Sequence, residues 1–145
     1  MKLNLGCGST SLKGYVNADI APLDNVDVVM DLDSHPWPFD NECAEMVIAQ
    51  DVFEHLNDPI GFMVDCWRVM LAGSPLVIRT PHYQSEHAFT DPTHKRYCTE
   101  FSWDYWIPGT ALYKAHNEAY GRVRFRKEKL DLLEGTLYVR LSKLP

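Results

Sequence analysis

The chain has 145 residues, of which 46% are hydrophobic and 23% are charged, and its formal net charge is −6. These proportions are typical of a globular protein and exclude a disordered chain or a fibrous repeat. The length predicts a single domain over residues 1–145, and no stretch approaches the roughly 18 apolar residues of a membrane span.

The beginning of the chain leaves no room for a signal peptide before the first predicted strand, so we expect a cytoplasmic protein without a membrane partner.

Charge is distributed unevenly along the chain. Residues 1–65 hold twelve acidic and two basic side chains, whereas residues 66–145 hold eight acidic and twelve basic ones. The acidic total argues against a nucleic-acid partner.

Short apolar segments in the first third of the chain predict four β-strands. The first begins at Lys2 and runs into Gly6 and Gly8, which is typical of a buried strand that enters a tight turn. The next three are predicted over residues 14–20, 27–32 and 45–49. The third is continuously apolar rather than alternating, which predicts a strand covered on both faces.

Beyond residue 51 the apolar period changes from two to about 3.6 residues, which predicts an amphipathic helix. Asp58 and Pro59 supply its N-cap and first-turn proline, and Gly73 stands where a left-handed C-terminal cap belongs. Residues 51–56 are interpreted as a separate short turn before this helix, in which Glu54 and His55 pack against the start of the helix and cap it. Residues 76–80 predict a fifth strand.

The second half of the chain begins with a polar loop over residues 82–98, and loops of this length are commonly functional. Residues 99–113 predict an irregular helix, and residues 120–125 and 136–141 predict a strand pair around a charged connection. The order of elements predicts an α/β, Rossmann-like fold. Its sheet is mostly parallel, with an antiparallel C-terminal edge hairpin.

Ligands of such sheets bind beyond the carboxyl ends of the strands. Here those ends carry two glycines, which allow the backbone to approach a ligand closely, and several polar side chains. Asp19 can accept hydrogen bonds from two vicinal ribose hydroxyls, and Asp31 with Leu32 can contact an adenine edge. These features favour a nucleoside-containing ligand.

The first turn departs from a dinucleotide-binding pattern. It lacks the third glycine, and residues 6–14 are too few for the crossover helix whose N-terminus neutralises a pyrophosphate. A cationic nucleoside without phosphates fits this acidic end of the sheet better.

Five segments of the chain form a recognisable series. They are Leu-Asn-Leu-Gly-Cys-Gly at 3–8, Gly-Tyr-Val-Asn-Ala-Asp-Ile at 14–20, Pro-Phe-Asp-Asn at 38–41, Asp-Val-Phe-Glu-His-Leu at 51–56 and Trp-Arg-Val-Met-Leu-Ala-Gly at 67–73. In order and spacing, the series resembles class I S-adenosylmethionine-dependent methyltransferases over residues 3 to about 106. Two departures are Asn4, where the family commonly has an acidic residue, and the missing first helix.

The resemblance implies S-adenosyl-L-methionine as the cofactor. It places Gly6 and Gly8 at the methionine portion, Asp19 at the ribose, and Asp31 with Leu32 at the adenine. Gln50 and Asp51 would face the methionine end.

The resemblance also implies methyl transfer, for which we expect a small-molecule or saccharide acceptor. Such transfer needs in-line positioning and usually a base, and the candidates are His82, Asp91 and His94. Hydrogen bonding within the loop is the alternative role of these three side chains. The short chain leaves little material for a lid, so we expect a shallow acceptor pocket or one completed by a second subunit in a homodimer.

Two alternative functions remain open at this point. One is a binding or interaction module that holds S-adenosylmethionine without turnover. The other is a nucleotide-sugar or NAD-dependent enzyme of similar architecture.

Two further clusters of side chains each have a structural and a functional interpretation. The set His82, His87, His94 and Cys98 matches no standard zinc spacing, so we expect no metal. Basic residues near the C-terminal strand pair are interpreted as a solvated face, or as contacts to an anionic acceptor if they share one side of a strand. The run consists of Arg122, Arg124, Arg126, Lys127 and Lys129, and the candidates for contact with an anionic acceptor are Arg122, Arg124 and Arg126.

Overall fold

The computed structural model describes residues 1–145, and one seven-stranded sheet takes strands from both ends of the chain. The strands are β1 (Lys2–Leu5), β2 (Val16–Asp19), β3 (Val28–Val29), β4 (Met46–Gln50), β5 (Pro75–Pro81), β6 (Phe125–Leu133) and β7 (Thr136–Lys143). The helices are α1 (Pro59–Val69), α2 (His87–Thr90) and α3 (Ala111–His116), with 3₁₀ turns at Phe53–His55 and Asp104–Trp106. None of these helices combines the length and the apolar character that crossing a membrane requires.

The strand order in the sheet is β3-β2-β1-β4-β5-β7-β6. The first five strands pair in parallel, and β7 runs antiparallel to both of its neighbours. This arrangement confirms the predicted Rossmann-like fold with an antiparallel C-terminal hairpin. It also brings the carboxyl ends of β1, β2, β4 and β5 to one edge of the sheet.

The hydrophobic core lies on one face of the sheet. Alternate strand residues such as Leu5, Val47 and Ile78 belong to a buried cluster that includes the apolar side of α1, whereas Ile48 and Val77 on the opposite face lie outside it. Because strand side chains alternate between faces, one face supplies the core and the other carries the intervening residues.

Helix α1 begins as predicted, because the Asp58 side chain accepts a hydrogen bond from the Gly61 amide at 2.8 Å and Pro59 occupies the first turn. It ends at Val69, four residues before Gly73. The reason is a parallel bridge between Met70 and Ala44, which draws the chain into extended conformation. Gly73 has a φ of +79° but lies in the turn that leads to β5, so its assignment as the helix cap was wrong.

Strand β3 is shorter and more exposed than its apolar run predicts. Only Val28 and Val29 pair with β2, and the side chain of Val29 is 57% exposed at the edge of the sheet. The prediction of a strand covered on both faces was wrong, because no further strand or helix element follows β3 before β4.

The C-terminal hairpin is also displaced from its predicted position. Strand β6 covers most of the charged segment interpreted as a connection, and Glu134 and Gly135, both with positive φ, form the two-residue turn to β7. Charged residues are typical of edge strands because they discourage pairing with another chain.

The basic residues near β6 lie away from the ligand edge. Arg126 pairs with Ser142, which in turn pairs with Pro75 at the beginning of β5. Arg122 and Arg124 precede the strand. The three arginines therefore do not share one side of a strand, and the condition for their contact with an anionic acceptor is not met.

A buried carboxylate on α1 holds the segment between β3 and β4. Asp65 is 3% exposed, and its oxygens contact His35 Nδ1 at 2.7 Å and Arg68 Nε at 2.7 Å and accept from the Trp37 amide at 3.2 Å. The Arg68 guanidinium also donates to the carbonyls of Phe39 and Trp37. This network supports the loop against which the helix packs.

We predict that Asp65→Ala lowers the free energy of unfolding by about 3 kcal/mol, because it leaves the partners of a buried charge unpaired. Urea unfolding measures the change. Asp40→Ala is the matched control, since Asp40 is exposed and makes no side-chain hydrogen bond, and it should change stability by less than about 0.5 kcal/mol. Equal stabilities of the two variants would contradict the role of the network.

Candidate functional site

Three adjoining cavities open at the carboxyl ends of the parallel strands. The inner cavity, of about 380 Å³, lies between the ends of β1 and β2 and the turn after β4, and its wall includes Gly6, Asp19, Leu32 and Val52. The outer cavity, of about 750 Å³, lies beside β5 and the loop before residue 98. The turn cavity, of about 400 Å³, lies beside the turn after β1 that contains Gly6 and Gly8, which we call the glycine turn.

The inner cavity is lined by both acidic and apolar side chains. Four carboxylates and one ammonium group line it, and they belong to Asp19, Asp31, Asp33, Asp51 and Lys95. Apolar wall residues are Ile20, Met30, Leu32, Val52 and Leu56. This combination suits a ligand with an aromatic base and a positive charge.

Asp19 is fixed by backbone hydrogen bonds at the end of β2. Its Oδ2 accepts from the Gly8 amide at 2.7 Å and its Oδ1 from the Ala21 amide at 2.9 Å. Each carboxylate oxygen can accept more than one hydrogen bond, so both oxygens retain capacity for hydroxyl groups of a ligand. The interaction with Gly8 also holds the glycine turn against β2.

Positive φ favours glycine at both positions of the glycine turn, and at Gly6 the space is also too small for a Cβ. Gly6 has a φ of +63°, and a Cβ there would lie 2.3 Å from Cγ2 of Val52. Gly8 has a φ of +51°, but a Cβ there would meet open space. From Gly8 to Tyr15 the chain forms turns and no helix, which confirms the prediction that the first crossover helix is missing.

Asp33 joins the loop after β3 to the segment before α1. Its carboxylate accepts from the backbone amides of Asn57 and Asp58 and from the Asn57 side chain at 2.8–3.0 Å. Partial burial alone would raise the pKa of Asp33, but these hydrogen bonds lower it below the usual value of 3.8. The interaction forms one wall of the inner cavity.

Asp51 connects the three cavities, because it lines each of them. It follows β4 with a φ of +53° and forms an ion pair with Arg79 of β5. The hydrogen bonds that the Arg79 guanidinium donates to Asp51 raise the pKa of Arg79, so the guanidinium stays charged.

The outer cavity is lined mostly by residues with polar or charged side chains. Glu54 lies in its wall with only 1% exposure, and its Oε2 accepts from Thr80 Oγ1 at 3.0 Å while Oε1 has no hydrogen-bond partner. Burial raises the pKa of Glu54. His55, Asp91 and His94 line the same cavity.

The comparisons with known proteins rest on structure. No protein-family model and no curated protein sequence matches the chain. A methyltransferase from Archaeoglobus fulgidus that depends on S-adenosylmethionine superposes with a TM-score of 0.70 at 17% identity, over 97% of this chain and 85% of that one.

Two other solved structures have the same architecture. A Haloferax volcanii chain solved in complex with the methyltransferase activator Trm112 gives a TM-score of 0.61 at 14% identity, over 99% of this chain and 82% of that one. The [4+2]-cyclase SpnF gives 0.65 at 12% identity, over 98% of this chain and 73% of that one. This chain has the fold of the S-adenosylmethionine-dependent methyltransferases. Because one fold can host several reactions, this likeness identifies the fold and not the activity.

Within this methyltransferase fold, the predicted cofactor residues fall in two adjoining cavities. Gly6, Asp19, Asp31, Leu32 and Asp51 line the inner cavity. Gly8 and Gln50 line the turn cavity beside it.

The predicted acceptor residues separate into two groups. Asp91 and His94 line the outer cavity, whereas His82 lines none of the three cavities. The His82 ring is buried beneath the loop, with Nε2 at 3.2 Å from a Glu100 oxygen. Backbone pairing places it beside Cys98, whose burial raises its thiol pKa to about 11.

Sequence reasoning missed the position of Glu54 and His55 in the site. It interpreted both as packing and capping residues near the helix, whereas both line the outer cavity and His55 also lines the inner one. The available signal was the Glu-His pair directly after β4, at the ligand edge of the sheet.

We predict that Asp33→Asn lowers the free energy of unfolding by about 1 kcal/mol at neutral pH, since solvent reduces the strength of these charge-assisted hydrogen bonds. The pKa of Asp33 is depressed in the folded state, so its stabilisation is complete above 3.8 and is lost as pH falls through the folded-state pKa. Urea unfolding at neutral and strongly acidic pH should therefore show a difference that shrinks in acid. The exposed Asp24→Asn variant is the control, and a pH-independent difference would contradict this account.

Proposed function

We propose that the protein binds S-adenosyl-L-methionine in the inner cavity and transfers its methyl group to a polar small-molecule or saccharide acceptor in the outer cavity. The observation that carries this proposal is the inner cavity itself. It combines a carboxylate at the end of β2, an apolar wall and an excess of negative charge at the ligand edge of a methyltransferase fold.

The residues present fit this cofactor. Asp19 retains acceptor capacity for the ribose hydroxyls, and Asp31 and Leu32 lie where the adenine edge would contact both polar and apolar groups. Gly6 and Gly8 border the methionine portion in this proposal. Gln50 and Asp51 lie at its far end, and the acidic wall favours the positive sulfonium.

The same geometry disfavours a dinucleotide. A pyrophosphate is usually neutralised by the N-terminus of the helix that follows the first strand, and this chain forms only turns from Gly8 to Tyr15. Four carboxylates against one ammonium group would also repel two phosphates. The geometry therefore favours S-adenosylmethionine over NAD.

Two features of the outer cavity support its assignment to the acceptor. It adjoins the inner cavity at Asp51 and His55, which line both, and its polar wall suits a ligand rich in hydroxyl groups. Asp91 Oδ1 accepts from Thr93, while Oδ2 makes no hydrogen bond and lies 3.9 Å from His94 Nε2. We assign acceptor contact to Asp91 and His94. The buried contact of His82 with Glu100 favours a positioning role for that ring within the loop.

We predict that calorimetry shows saturable binding of S-adenosylmethionine and S-adenosylhomocysteine and much weaker binding of NAD. The reason is that the inner cavity carries negative charge and no phosphate-binding helix.

Asp19→Ala should weaken cofactor binding by about 1.5–3 kcal/mol, the usual contribution of hydrogen bonds to a charged group.

Asp24→Ala is the matched control for this measurement, since Asp24 is exposed on the loop after β2 and does not line the cavity. It should leave the Kd unchanged. Tight binding of NAD without an S-adenosylmethionine signal would refute the assignment of the cavity, and an unchanged Kd in folded Asp19→Ala would refute the ribose contact.

Methyl transfer is tested with S-adenosylmethionine labelled in the methyl group and a panel of saccharides and small hydroxyl or amine acceptors. For an acceptor found in this way, Asp91→Ala should lower kcat by roughly 10²–10⁴ if the carboxylate acts as the base, with little change in cofactor Kd.

Glu86→Ala controls for loss of a carboxylate from the same loop, because Glu86 is exposed and does not line the outer cavity. It should retain the wild-type rate. Transfer that survives Asp91→Ala unchanged would remove its catalytic role, and cofactor binding without transfer to any acceptor would favour the binding-module alternative.

A further inference from the structure

We propose that Glu54, His55 and His94 form a binding site for a divalent transition-metal ion in the wall of the outer cavity. One carboxylate oxygen and one nitrogen of each imidazole lie within 4.8 Å of one another. Around an ion with bonds of about 2.1 Å, ligand atoms lie about 3–4 Å apart, so the side chains need only small rotations to bind it. Binding of the metal goes beyond the proposed methyl transfer and does not depend on it.

Hydrogen bonds at Nδ1 prepare both imidazoles as ligands. His94 Nδ1 lies 3.0 Å from the Ala88 carbonyl, which only accepts, so this nitrogen carries the proton and Nε2 presents a lone pair. Thr93 Oγ1 donates its proton to Asp91 at 2.7 Å, so it accepts from His55 Nδ1 at 3.0 Å. Nε2 of His55 therefore also presents a lone pair. Such partners orient metal-binding histidines in proteins.

Glu54 supplies the observation that points independently to a ligand. Its side chain is almost fully buried, Thr80 satisfies only Oε2, and Oε1 has no hydrogen-bond partner. A buried polar atom without a partner is rare, because it loses hydration and gains nothing in return. A cation bound to this carboxylate supplies the missing interaction.

Two chain segments hold the three side chains together. The Glu54 carbonyl accepts from the amides of Lys95 and Arg96 at 2.7 and 3.0 Å, and the Arg96 guanidinium donates to the carbonyls of Leu56 and Asn57. The His55 and His94 rings are 4.7 Å apart, centroid to centroid. The site is therefore assembled by the fold and does not depend on the ordering of a free loop.

The donor set identifies the class of ion. Two imidazoles and one carboxylate suit Zn²⁺, Co²⁺ or Fe²⁺, whereas Mg²⁺ and Ca²⁺ prefer oxygen ligands only. Asp91, close to His94 Nε2, adds negative charge, and the guanidinium of Arg79 in the same wall is paired with Asp51. Three protein ligands leave coordination positions on the cavity side. If the proposed function holds, an oxygen of the acceptor can occupy one of them, and His94 then acts on the acceptor through the ion.

The test uses the full chain, treated with a chelator and then titrated with Co²⁺. We expect one saturable site with visible d–d absorption. His94→Ala and His55→Ala should each weaken Co²⁺ binding at least about tenfold, and the isosteric Glu54→Gln should do the same while it keeps a partner for Thr80. Zn²⁺ should raise the thermal unfolding midpoint of the wild type and not that of His94→Ala.

His87→Ala is the matched control, because His87 is exposed and lines the same cavity outside the trio. It should bind Co²⁺ as the wild type does. Absence of saturable Co²⁺ binding, unchanged affinity in His94→Ala, or an equal loss in His87→Ala would overturn the proposal. Calorimetry with S-adenosylmethionine in the presence of chelator separates this outcome from the proposed function, since either ligand can bind without the other.

Discussion

The parallel pairing of β1 with both β2 and β4 is the constraint on which the site depends. The register sets Leu5 beside Ala18 on one side and Ala49 on the other, so the next residues of all three strands emerge at one edge of the sheet. The glycine turn, Asp19 and the chain after β4 therefore meet there, although they are distant in sequence. A shift of the β1–β4 pairing by one residue would reverse the faces of the strand and separate these groups.

Backbone carbonyls also hold a distant loop in place, because they accept hydrogen bonds from its amides and from one of its side chains. Segments without regular secondary structure usually make few fixed contacts. The stretch after residue 91 is an exception, because its amides and one guanidinium donate hydrogen bonds to the carbonyls of Glu54, Leu56 and Asn57. The outer cavity has a defined wall for this reason. Its polar character follows from the sequence of that wall, where histidine, threonine and aspartate predominate.

Local pattern predicted those parts of the fold that local interactions determine. Strands β1, β2, β4 and β5 followed from apolar periodicity, and the start of α1 followed from the Asp58 cap. The end of α1 did not, because the bridge between Met70 and Ala44 is a tertiary interaction. Strand β6 was not predicted, because its charged residues suit a loop as well as an edge strand. The strand-end residues at the ligand edge were predictable from the strand boundaries. The grouping of His94 with Glu54 and His55 was not, since only the folded loop brings them together.

The position of His55 and Asp51 in the walls between cavities has a thermodynamic consequence. Asp51 and His55 each line both the inner and the outer cavity. A ligand in one cavity that moves either side chain therefore changes the free energy of binding in the other cavity. Such linkage is reciprocal, because each ligand changes the affinity of the other by the same factor. In so small a protein, cooperativity between two ligands needs no subunit contact and no hinge, only a shared wall.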